Sequence, residues 1–104
     1  MSKPNKVVSI QADKERHIKF GMNAFIRLEK ELGRPMTELG ENLSMEDLRT
    51  MFWIGLLWED KKLTPDKVGD LMDIVIESEG LEFLSNALGE AVQGAMGSTA
   101  TPSK

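Results

Sequence analysis

Three sets of residues have types and spacing that bear on chemistry. His17 is the single histidine of the chain, and its alternation with Ile18 and Phe20 puts it on the polar side of an extended segment. A lone imidazole without an orienting partner and a nucleophile within reach supports no acid–base or triad chemistry, so His17 reads as an ordinary surface histidine. With no cysteine in the chain, thiolate metal sites, thiol nucleophiles and disulfides are all excluded. Asp66, Asp70, Asp73 and Glu77 recur at helical spacing opposite an apolar face of Val68, Leu71, Met72 and Val75. That stripe is either a solvated helix face or a dock for a basic segment of a partner. No calcium loop or histidine pair accompanies it, which argues against a metal.

The third set is the apolar run from Met51 to Trp58. At about 100° per residue, Leu48, Phe52, Gly55 and Leu56 share one side of a helix, while Trp53 and Leu57 fall nearly opposite. A helix that is apolar all round must be covered all round. Either it is the central helix of a bundle, or Trp53, Leu57 and Trp58 form an aromatic patch that another protein covers. Ala87, Ala91 and Ala95, spaced by four, permit close approach of a neighbouring backbone, within the bundle or in self-association. The glycines are scattered and match no phosphate-binding fingerprint. No enzyme site can be assembled, and the expectation is a non-catalytic binding module that needs no cofactor.

The elements that must position these residues follow from local signals. Segments Lys6 to Ala12 and Arg16 to Phe20, joined through Asp13, Lys14 and Glu15, predict a small hairpin. Two strands are marginal alone, so the hairpin must lean on helices. Asn23 is the expected cap of a first helix ending at Leu32, with Ala24, Phe25, Leu28 and Leu32 on one face and Gly33 as a left-handed stop. Met36 to Leu39 reads as one further helical turn. Ser44, followed by acids in the first turn, starts a helix expected to run to about Asp60. Thr64, Pro65 and Asp66 start the next. Gly80 separates it from a last helix with Leu81, Leu84, Leu88, Ala91, Val92 and Ala95 in one stripe. The fold class is therefore mainly α: a compact bundle of about four helices preceded by an N-terminal β-hairpin. Residues 1–5 and 97–104, polar and small, are expected to be flexible and disordered tails around one domain spanning 6–96.

Composition bounds the partners. The chain has 104 residues, 40% hydrophobic and 29% charged, which suits one packed domain. Thirteen Lys and Arg against 17 Asp and Glu give a net charge of −4, without the cationic surplus that phosphate backbones demand. A helix-turn-helix reading of Ser44 to Asp60 and Thr64 to Ser78 would set Asp66, Asp70 and Asp73 against Lys67 alone on the recognition helix, which repels DNA. The N-terminus carries no apolar signal stretch, and no run approaches the roughly 20 apolar residues of a membrane span. A cytosolic setting is expected, with neither nucleic acid nor membrane as partner.

The run from Ile18 through Gly33, a strand leading into a helix with Asn23, Ala24, Leu28 and Glu29 and ending at glycine, resembles the opening of tail assembly chaperones of bacteriophages and gene-transfer agents. Leu48 through Glu59, then Leu63 and Thr64, then the Val68 and Gly69 pair, is similar to that family's apolar helix, short turn and capped helix. The resemblance spans about Lys6 to Met96. It implies a protein made late in infection that stays in the host cytoplasm, binds the tape-measure protein, helps recruit tail tube subunits and leaves the finished virion. Many such families also make a longer frameshifted product with a tube-binding domain. The resemblance implies that this chain is the short form, without that added domain. A minor structural tail component is the nearest alternative, although tube subunits are β-rich.

Overall fold

The computed structural model describes residues 7–35 and 43–95. The expected flexible N-terminus at 1–5, Lys6 of the hairpin segment, the expected turn at Met36 to Leu39 and the expected C-terminal tail at 97–104 fall outside them. The chain opens with two short strands, β1 (Val8–Gln11) and β2 (Glu15–Ile18), paired antiparallel with Val8 opposite Ile18 and Gln11 opposite Glu15. Four helices follow: α1 (Met22–Leu32), α2 (Met45–Leu57), α3 (Pro65–Glu79) and α4 (Leu81–Ala95). This is the expected hairpin and four-helix bundle. Strand alternation sends Ile18 and Phe20 fully into the core and leaves His17 and Lys19 half-covered.

Helix α1 starts earlier than its capping residue predicts. Gly21 is the N-cap, its carbonyl accepting from the Phe25 N–H at 3.0 Å, and it makes no side-chain cap. Asn23 is exposed inside the helix. The physical reason is a hydrophobic staple. Phe20, just before the cap, stacks on Phe25 at the fourth helical position, with ring centroids 5.5 Å apart. Burial of this aromatic pair fixes where the strand turns into the helix, and that outweighs the preference for an amide cap. At the other end, Gly33 adopts φ 70° and its N–H closes on Glu29 O, as a left-handed stop should.

The remaining helix starts match their signals. Ser44 and Asp47 form a reciprocal capping box, with Asp47 N–H to Ser44 Oγ at 3.0 Å and Ser44 N–H to Asp47 Oδ2 at 3.1 Å. Arg34 reaches the same Asp47 carboxylate at 2.7 Å and ties the exit of α1 to the entry of α2. Thr64 Oγ1 accepts from the Lys67 N–H, with Pro65 at the first helical position. Helix α4 buries Leu84, Ala87, Leu88 and Ala91 and half-buries Val92 and Ala95, whereas Leu81, expected in the stripe, is exposed at the very start of the helix.

Helix α2 ends at Leu57, three residues before the expected Asp60. Residues 58–60 leave the helix because each is held by the hairpin. The Trp58 indole N–H donates to His17 O at 3.0 Å, the His17 N–H donates to Glu59 Oε1 at 3.1 Å, and Arg16 reaches Asp60 Oδ2 at 3.1 Å. With the helix stopped, Gly55 O is free to accept the Lys19 N–H of the strand exit at 2.9 Å. The hairpin thus docks on the last turn of α2. No helix of the described residues is long and apolar enough to cross a membrane.

Candidate functional site

Trp53, Leu57 and Trp58 come together in an open groove of about 810 Å³ where α1, the exit of β2 and the end of α2 meet. The opposite side of α2, with Leu48, Phe52, Gly55 and Leu56, is buried in the bundle. Trp53 and Leu57 are neither wholly core nor wholly surface: both are half-buried, packed on the core beneath and facing the groove above. Trp58 is more open, 45% exposed. Met22 on α1 stands at the groove edge, 72% exposed, with Ala24 behind it. Ile26, one turn further along α1, is exposed as well.

Both indoles are fixed through their polar ends. Trp53 Nε1–H donates to Leu63 O at 2.9 Å, and Trp58 Nε1–H is the donor to His17 O already described. With the N–H groups satisfied inside the fold, the ring faces are what the groove presents. One face of each ring carries a cation: the Arg27 guanidinium lies 4.9 Å from the Trp53 ring centroid, and Lys19 Nζ lies 4.8 Å from that of Trp58. Among the described residues, Lys61 from the turn after α2 is the third charged residue lining the groove, and no acid lines it. The sequence pointed to the tryptophans but not to Lys19, Arg27, Lys61 or Met22. These come from separate elements and share no local pattern.

A charge cluster ties the hairpin to the turn after α2 that carries Lys61. Arg16 is buried on the core side of β2 and bridges Asp13 (2.9 and 3.0 Å) and Asp60 (3.1 Å). The side-chain bond from Arg16 holds the Asp13 carboxyl below its ordinary range, and the same partner, aided by the Lys62 N–H, does so for Asp60. The two carboxylates push the Arg16 guanidinium the other way, upward. Burial raises the Glu59 carboxyl, but its bonds from the His17 ring (2.6 Å) and backbone N–H outweigh this and leave it lowered. His17, expected as a plain surface residue, is half-covered and paired with Glu59. The period-2 pattern that places Ile18 inward also places Arg16 inward, with Asp13 three residues away. That was the available signal for this cluster.

Asp66, Asp70, Asp73 and Glu77 are all exposed on α3, and none lines the tryptophan groove. Asp66 lies 3.7 Å from Arg49, and Asp73 borders a shallow depression beside Met45 and Gly69. Among the described residues no group of three or more His, Asp or Glu is placed to hold a metal. No family model, curated protein or solved structure matches the chain.

Proposed function

We propose that this chain is a phage tail assembly chaperone, a non-catalytic protein that binds the tape-measure protein in the host cytoplasm and holds it while tail tube subunits assemble. The observation that carries the reading is the groove: two indole faces and Leu57, partly open to solvent, on a folded scaffold whose polar ends are already satisfied. A tape-measure protein consists of long amphipathic helices that need apolar cover until the tube encloses them. A groove lined by rigid aromatic anchors offers such cover by the helix-in-groove mode. The hairpin and four helices agree with the fold that the sequence resemblance implies, and they depart from the β-rich tube subunit of the alternative. We place the contact at the groove rather than on the acids of α3, which stand in solvent.

Co-expression with the tape-measure protein encoded in the same genome tests this reading. Capture by the wild-type chain, and its loss in a Trp53→Asp/Leu57→Asp variant that keeps its helical circular dichroism, is the expected result. Because both residues are half-buried, Trp58→Ala serves as a milder second variant. Absence of capture by the wild type would refute the chaperone function itself.

A further inference from the structure

The chain is acidic overall, with a net charge of −4, yet the groove reverses that sign. Among the described residues its charged lining is Lys19, Arg27 and Lys61, with no carboxylate. We infer that the groove selects an acidic amphipathic helix, in which an apolar stripe is flanked by Glu or Asp, and rejects a basic one. The inference rests on the chaperone reading for which protein supplies that helix, and on the groove's own chemistry for its charge.

The geometry says how charge and apolar contact are coupled. In the free chain, Arg27 and Lys19 lie over the two indole faces. An apolar side chain that stacks on the cation-bearing face of either indole must move the cation off, and the displaced cation then requires an anion to compensate the lost contact. A helix with carboxylates beside its apolar stripe provides both at once. One with Lys or Arg there forces like charges together as the groove dries, which is costly at an interface. The long arms of Lys19 and Arg27 also supply apolar cover to the indoles until the partner arrives. Met22, open at the lip, is a flexible apolar contact that adapts to the side chain it meets.

Two synthetic amphipathic peptides of about 18 residues, with the same Leu stripe but flanked by Glu in one and Lys in the other, provide the probes. The chain's two tryptophans both line the groove and it has no tyrosine, so indole emission reports this site directly. Against the full chain at low ionic strength, the Glu peptide is expected to bind about tenfold tighter, the effect of three exposed ion pairs, with the gap closing as salt is added. Arg27→Glu/Lys61→Glu, two exposed rim positions, should reverse the order. Arg27→Gln, a smaller change, should narrow it. Equal affinities, tighter binding of the Lys peptide, no binding of either, or an unchanged preference in the reversed variant would each overturn the inference. A wild-type oligomer that dissociates on Arg27→Glu would do so too, by assigning the groove to the acidic α3 of a second copy. Tape-measure capture that survives charge reversal would remove the selectivity and leave the chaperone function standing. Peptide selectivity without any capture would do the opposite.

Discussion

Replacing Gly55 with alanine tests how the hairpin and α2 build the groove. An added Cβ would lie 2.7 Å from Ile18 Cγ2 and 3.0 Å from Phe20 Cζ. Neither neighbour can yield cheaply. Ile18 is β-branched, so its Cγ2 is fixed by a stiff χ1, and Phe20 is fully buried and stacked on Phe25. Overpacking of this kind costs about 1–3 kcal/mol. Pushing the strand away also weakens the bond from Lys19 N–H to Gly55 O, worth about 1 kcal/mol. Against this stands the helix propensity of alanine, about 1 kcal/mol better than glycine. The balance is a loss of about 2 kcal/mol, a fall of roughly 10 °C in melting temperature for a domain of this size. Gly89 is the internal control, because it lies inside α4 and a Cβ there meets nothing within 4 Å among the described residues. Gly89→Ala keeps the propensity term alone and should gain up to about 1 kcal/mol. Thermal and urea unfolding of both variants provide the assay. A Gly55→Ala protein as stable as wild type would refute the close packing of β2 on α2, and a destabilised Gly89→Ala would refute the propensity argument.

Arg16→Met should cost about 2 kcal/mol in urea unfolding, less than a fully buried pair because Asp13 and Asp60 keep about a third of their surface exposed. No loss would show that the Arg16 cluster does not tie the hairpin to the end of α2. Asp13, Glu59 and Asp60 have folded values below their ordinary 3.8, 4.5 and 3.8, so their stabilisation is complete above those values and is lost as pH falls below them. Acid titration of the wild type should therefore show stability falling below about pH 4.5, with a shallower fall in Arg16→Met. Equal slopes would contradict the pairing. Trp58→Ala removes one hydrogen bond and one cation–π contact and should cost only about 1–2 kcal/mol, while partner capture drops sharply. Capture undiminished in a folded Trp58→Ala protein would move the contact off this indole.

Features written in consecutive residues were legible in the sequence. The capping box at Ser44, the Thr64 and Pro65 start, and the glycine stops at Gly33 and Gly80 each depend on contacts within one turn. The faces of α2 also emerged from its period, with Trp53 and Leu57 opposite the buried side. Where distant parts of the chain compete with local preference, the local signal does not decide. Asn23 lost the cap to the Phe20–Phe25 stack, and α2 stopped at Leu57 because β2 holds Trp58, Glu59 and Asp60. The groove shows the same division. Its floor lies on one helix and could be anticipated, but its cationic rim joins Lys19, Arg27 and Lys61 from three places, a pairing that exists only after folding.

The central claim is that the partner lies in the tryptophan groove and not on the acidic face of α3. A photo-crosslinking residue placed at Met22, on the exposed lip, or at Asp70, in the middle of that acidic face, compares the two surfaces in cells that also produce the tape-measure protein. The account predicts a crosslink to the tape-measure protein from position 22 and none from position 70. A crosslink from position 70 without one from position 22 would contradict it.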